Sequence, residues 1–150
     1  MIVVLSKEIG VMKKGLVFKI IVTILQIIII PCCIVDSWAT VYTDQTGNYF
    51  DFNFIDAADL FGADYLATGL VWILAVVVII MIWTPAGKAA FIPAILQTLI
   101  FIASIISVMS NEDAEIKSFA FLHTGIAVVA LVVCIIAGVT VKTEIAEQTE

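Results

Sequence analysis

The chain holds one histidine, His123, and three cysteines, Cys32, Cys33 and Cys134. These residues bound the chemistry it can perform. A thiol nucleophile needs a base beside it, and a metal centre needs several N or S ligands at motif spacing. All three cysteines lie inside apolar runs, where they read as small buried residues, and His123 stands alone. No H-E-x-x-H, G-x-S-x-G, Walker loop or Cys–His cluster occurs. Six aspartates (Asp36, Asp44, Asp51, Asp56, Asp59 and Asp64) crowd one connection that carries no basic residue. Crowded carboxylates suggest calcium, but calcium loops space their oxygens as D-x-[DN]-x-[DN]-G, and that pattern is missing. A solvated acidic cap is the expectation. Seven lysines, no arginine and a net charge of −6 argue against nucleic acid, and they remove the bidentate clamp for phosphate or carboxylate. The residues therefore point away from an enzyme. No cofactor, metal or small-molecule substrate is expected.

The elements that would carry such residues are overwhelmingly apolar. Of 150 residues, 63% are hydrophobic and 13% charged, with mean hydropathy +1.18. A soluble domain carries nearly twice that share of charge. The missing polar shell implies lipid. Four apolar runs, at 16–35, 66–83, 89–109 and 119–141, are 18 to 23 residues long. At a helical rise of about 1.5 Å per residue, each covers a hydrocarbon core of about 30 Å. Backbone amides in lipid must pair internally, so uniformly apolar runs of this length form helices. The expected fold is a single all-α membrane domain over 1–150: a four-transmembrane-helix bundle with a small extracellular β-hairpin.

Lysine placement sets the orientation. Lys7, Lys13, Lys14 and Lys19 lie at the start, Lys88 in the Thr84-Pro85-Ala86-Gly87-Lys88 turn, and Lys142 beyond the fourth run. The other two connections hold Lys117 alone. The positive-inside rule puts both termini and the 84–88 turn in the cytosol. A cleavable signal peptide is the competing reading of the first run, given its lysines and the Ser37-Trp38-Ala39 that follows. Its twenty apolar residues exceed an ordinary signal core, and Trp38 with Tyr42 makes an interfacial anchor.

The long outer connection, 36–65, is acidic and aromatic. Phe50, Phe52 and Phe54 alternate with Asp51 and Asn53 after the turn Asp44-Gln45-Thr46-Gly47, the pattern of a β-hairpin. The aromatic face, with Trp38 and Tyr42, is expected to pack on the helix ends. The alternative is that Trp38, Tyr42, Phe50, Phe52 and Phe54 meet another protein, because exposed aromatic patches are costly unless used. The second outer connection, Ser110 to Glu115, reads as an acidic link.

Within the runs, small residues recur at every fourth position: Ala130, Cys134 and Gly138, then Ala103 and Ser107, and also Ala90 and Ala94. Such stripes let helix backbones approach closely, here chiefly within one bundle. The polar residues at depth are mild: Gln26, Gln97, Thr98 and Ser104, with His123 near the outer end. Gln26 and Gln97 are placed to bond across helices. No Asp, Glu, Lys or Arg lies mid-run, which argues against transport.

This layout of four runs, a larger first outer loop and a tiny cytosolic turn resembles tetraspan junction and trafficking families. The claudin signature G-L-W-x-x-C-x-x-x-C is absent, although Trp38 is present. The layout resembles MARVEL-like proteins, which do not depend on that signature, and the segment Ala63-Asp64-Tyr65-Leu66-Ala67-Thr68-Gly69-Leu70-Val71 resembles the span-two entry of the Snakeskin-like proteins of insect smooth septate junctions. That resemblance implies a structural role at cell junctions or in plasma-membrane organisation. The partners would be the bilayer and other membrane proteins, including further copies of the chain. A small accessory subunit of a channel, pump or respiratory complex is the alternative, and an oligomeric pore past Gln26, Gln97 and His123 is a third.

Overall fold

A computed structural model describes residues 2–35, 38–42, 49–52, 54, 64–110 and 112–147. Four helices dominate it: α1 (Ile2–Val35), α2 (Asp64–Ile82), α3 (Phe91–Met109) and α4 (Ser118–Glu147). A 3-10 helix, Pro85–Ala89, joins α2 to α3. Three short strands, β1 (Ala39–Tyr42), β2 (Tyr49–Phe52) and β3 (Ala114–Ile116), form one sheet.

The helix boundaries follow local chemistry. Thr84 precedes Pro85, whose ring disfavours α geometry at the preceding residue, and Thr84 is extended with φ −110° and ψ 171°. Helix α2 therefore stops at Ile82, and the turn occupies positions where the sequence pattern starts the third helix at 89. Helices α1 and α4 run beyond the apolar runs that define them, α1 from Ile2 and α4 to Glu147. Lysine and glutamate are good helix formers, so polarity at these ends does not stop the helix. Pro31 lies inside the last turns of α1. Among the described residues, Phe91–Met109 and Ser118–Thr140 are long and apolar enough to cross a membrane, while Gly15–Pro31 and Gly69–Ile82 are shorter apolar helices.

Each helix packs against two others, α1 on α4, α4 on α3, α3 on α2 and α2 on α1, which closes a ring of four. Two buried clusters reveal the direction of each helix. At the turn end lie Val22, Val78, Ile82, Ala90, Ala94, Cys134 and Ala137. At the sheet end lie Ile29, Cys33, Trp38, Phe54, Val71, Phe101, Ile105, Ala120 and Ala127. Rising residue numbers run from turn end to sheet end in α1 and α3, and the reverse in α2 and α4. The bundle is up-down-up-down.

Polarity is inverted relative to a water-soluble bundle. Gln26, Gln97, Thr98 and His123 are buried, whereas Ile27, Ile73, Leu99, Ile106, Val132 and Val139 stand exposed. Hydroxyls on the helices bond to their own backbone: Thr98 Oγ1 donates to the Ala94 carbonyl at 2.8 Å and Ser104 Oγ to that of Ile100 at 2.9 Å. Such back-bonding satisfies a hydroxyl where no water is at hand.

Two contacts fasten the turn end. The Trp83 indole N–H donates to Thr23 Oγ1 at 2.9 Å, and that hydroxyl donates in turn to the Lys19 carbonyl at 2.9 Å. Lys19 Nζ lies 5.9 Å from the centroid of the Trp83 ring, within cation–π range. Thr23→Val removes the acceptor between α1 and the end of α2. It should lower stability by about 0.5–1 kcal/mol, read as a shift in thermal unfolding in detergent. Thr23→Ser should stay near the wild type.

Candidate functional site

At the end opposite the turn, the sheet caps the bundle. Strand β1 is central and pairs antiparallel with β2 and with β3. Thr40 stands opposite Asp51 on one side and Glu115 on the other, and Ala39 stands between Phe52 and Ile116. Alternation along a strand puts these two rows on opposite faces. Ile116 packs against the sheet-end core, and Asp51, Tyr42 and Glu115 are exposed.

The connection between α3 and α4 thus does more than link two helices. The sequence reading gives a two-stranded hairpin, whereas the structure adds β3 from the 110–117 segment. Three residues, Ala114-Glu115-Ile116, carry too little alternation to register as a strand by pattern. Their pairing is supplied from a distance, by the unpaired edge of β1. Two flanking backbone bonds extend the seam, from Tyr42 N–H to the Asp113 carbonyl at 2.8 Å and from Lys117 N–H to the Trp38 carbonyl at 2.9 Å.

The exposed face is laced by side-chain contacts. Thr40 Oγ1 donates to Asp51 Oδ1 at 2.6 Å, Lys117 Nζ lies 3.1 Å from the same oxygen, and the Tyr42 hydroxyl donates to Glu115 Oε2 at 2.8 Å. The Thr40 hydroxyl, and then Lys117, hold the Asp51 carboxyl below its ordinary value of 3.8. A carboxylate with a lowered native pKa adds stability that is fully present above the ordinary value and fades as pH falls through the native one. Asp51→Asn should therefore flatten the acid limb of stability below about pH 4, measured by unfolding across acidic pH. Above that range the pair is solvent-screened and its contribution small.

Beneath the sheet lies an aromatic cluster with Trp38 at its centre. Its ring centroid is 4.6 Å from Phe54, 5.6 Å from Phe101 and 5.7 Å from His123, and Phe54 lies 5.1 Å from Phe101. The Trp38 indole N–H donates to His123 Nδ1. An imidazole that accepts at Nδ1 carries its proton on Nε2 when neutral, so this bond selects the tautomer. Trp38, Phe54, Phe101 and His123 are all buried. The cluster joins the cap, through residues 38 and 54, to α3 and α4.

The residues singled out from sequence separate into distinct environments. Trp38 and Phe54 are enclosed, whereas Tyr42 is 43% exposed. Phe50 and Phe52 lie in β2 opposite Val41 and Ala39, and their side chains fall outside the described residues. So do the 44–47 turn and the aspartates at 36, 44, 56 and 59. Ala130 and Cys134 are buried, and Gly138 packs on the backbone of Lys88. Ala103 is exposed and Ser107 half-buried, so this pair on α3 borders the outer surface. Ala90 and Ala94 are in the turn-end core. Gln97 does bond across helices: its Nε2–H donates to the Val71 carbonyl of α2 at 3.3 Å.

Sequence reading did not single out Phe101, Glu115 or the Asp51–Lys117 pair as parts of this cap. Phe101 sits in an unbroken apolar run, where nothing marks one aromatic as special. The charged residues acquire roles only once β3 pairs with β1.

No family model matches the chain, and neither a curated protein nor a solved structure matches it.

Proposed function

We propose that the chain is a four-span integral membrane protein that acts without catalysis, as a scaffold holding other membrane proteins against its capped end. The observation that carries this reading is the inverted polarity of the bundle. Amides and imidazole point inward, while the outer surfaces of α1, α2, α3 and α4 present Ile24, Ile73, Leu99 and Val132. Water would penalise that surface heavily, and acyl chains accept it. Lys19 and Lys88 lie toward the turn end, whereas Asp51, Glu112, Asp113 and Glu115 lie at the sheet end. By the positive-inside rule the turn and both termini face the cytosol and the cap faces outward.

In this reading the cap is the working surface. Tyr42 is exposed and its hydroxyl donates to the Glu115 carboxylate, and exposed tyrosine is a residue that interfaces favour. The partner is another membrane protein or a second copy of the chain. The likeness to MARVEL-like and Snakeskin-like proteins favours a place at cell junctions in the plasma membrane.

A photo-crosslinking residue at position 42, activated in native membranes, tests the proposal. Attachment to a defined membrane protein, absent when the probe is moved to the lipid-facing position 99, is the expected result. Attachment to lipid alone at both positions would overturn the scaffold reading. Recovery in fixed stoichiometry with one large assembly would instead favour an accessory subunit. Release of the protein by alkaline washing without detergent would contradict membrane insertion itself.

A further inference from the structure

Between the two apolar clusters lies a layer that belongs to neither. On α1, Gln26 falls between Val22 of the turn-end cluster and Ile29 of the sheet-end cluster. On α2, Ala75 falls between Val78 and Val71; on α3, Gln97 between Ala94 and Phe101; on α4, Ala130 between Cys134 and Ala127. All four layer residues are fully buried. Two glutamines, on the diagonally opposed helices α1 and α3, thus share one depth in the middle of the bundle, with alanines on the other two helices.

Their hydrogen bonding is incomplete. Gln97 Nε2 reaches the Val71 carbonyl, but among the described residues Gln97 Oε1 and both Nε2 and Oε1 of Gln26 have no partner. A buried amide left unpaired costs about 1–3 kcal/mol, and nothing at this depth in a bilayer relieves it from outside. Leu74 and Thr98 are buried at the same depth, and the Thr98 hydroxyl is already satisfied by the Ala94 carbonyl, so neither completes the glutamine amides.

We propose that Gln26 and Gln97 form an internal binding site for water, which bridges α1 to α3 at the centre of the bundle. The chemistry of the unpaired atoms selects this guest. Two amide oxygens ask for hydrogens and one amide nitrogen asks for an acceptor, which a neutral molecule that both donates and accepts can satisfy. A cation would meet the Gln26 N–H groups and an anion the two oxygens. Either would also add a net charge where no carboxylate or lysine lies among the described residues of the layer. Water occupies such polar interior sites with two to four partners. The bridge also fixes register: sliding α1 by one turn toward the turn end would bury Gln26 against Val78 and Ala94, with no partner at all. A single buried polar layer of this kind specifies one alignment where uniform apolar packing would accept several.

The test uses the full chain, labelled with ¹⁵N-glutamine, in lipid nanodiscs. Rotating-frame cross-peaks between water and the Gln26 side-chain amide protons are expected, of the sign that reports dipolar proximity rather than proton exchange. Gln97→Met keeps the side-chain length and removes the opposing amide. It should abolish the Gln26 water cross-peak while Gln26 itself remains. A wild-type spectrum with direct Gln26–Gln97 contacts and no water peak would overturn the proposal, as would a Gln26 water peak unchanged in Gln97→Met. Thermal unfolding supplies a second readout. If one water joins the two amides, Gln26→Met and Gln97→Met should together lower the midpoint by less than the sum of the single shifts. Strict additivity would count against a shared guest.

Discussion

Trp38→Ala should destabilise the protein more than any other single substitution in the cap, by about 3–5 kcal/mol. The indole is fully buried and touches Phe54, Phe101 and His123, so alanine leaves a cavity lined by three rings with no easy route to collapse. It also removes the indole donor to His123 Nδ1, and with it a buried side-chain hydrogen bond. Trp38→Phe separates the two contributions, since it keeps most of the ring and loses the N–H. Its cost should be about 1–3 kcal/mol. Thermal unfolding in detergent, followed by near-UV circular dichroism of the aromatic cluster, measures both. Because the Trp38 carbonyl anchors Lys117 N–H through the backbone, that bond survives either substitution. Loss in Trp38→Ala therefore reports packing and the side-chain bond to His123, not the backbone seam.

Gly138→Leu is expected to produce the largest effect at the opposite end. A Cβ at this position would lie 3.3 Å from the Lys88 carbonyl oxygen and 3.4 Å from its Cα. These are backbone atoms of the 3-10 turn, which cannot rotate aside. Ala fits at the edge of tolerance. Leucine forces α4 away from the turn and should cost about 1–3 kcal/mol or more through overpacking. Gly138→Ala should retain most of the stability, and the graded series distinguishes close approach from mere loss of backbone freedom. Melting temperatures of the wild type and the two variants in one detergent decide the matter.

The helices were legible because their signal is repeated over many residues. Long apolar runs specify where the helices lie, and α3 and α4 follow the runs to within a few residues at their shared ends. Helix α4 outruns its apolar stretch because Lys142 and Glu144 continue a helix as well as valine does. The cap was legible only in part. The alternation of Phe50 and Phe52 marks β2, which ends at Phe52, short of the Phe54 that the pattern would include; the turn pattern at 44–47 marks a reversal, as the antiparallel pairing of β1 and β2 requires. What completes the sheet is a three-residue strand that follows from contact with β1, a long-range event that no local pattern encodes. The aromatic centre was half legible. Trp38 was singled out as an interfacial anchor, and His123 as the lone histidine near one end of its run. Their bond, across 85 positions of chain, depends on α1 and α4 lying side by side. The small-residue stripes were least decisive: Ala130 and Cys134 are enclosed and Ala103 is exposed, because a four-residue period gives spacing along a face without saying which face turns inward.

The sheet draws its strands from different connections, β1 and β2 from the chain between α1 and α2, and β3 from the chain between α3 and α4. A two-stranded flap rooted in one connection could be peeled away by whatever pulled on it. Here a tug on the capped end is divided between two helical pairs, through the β1–β3 seam and the Asp51–Lys117 clasp. Tension would be spread over all four helices at once rather than falling on a single connection.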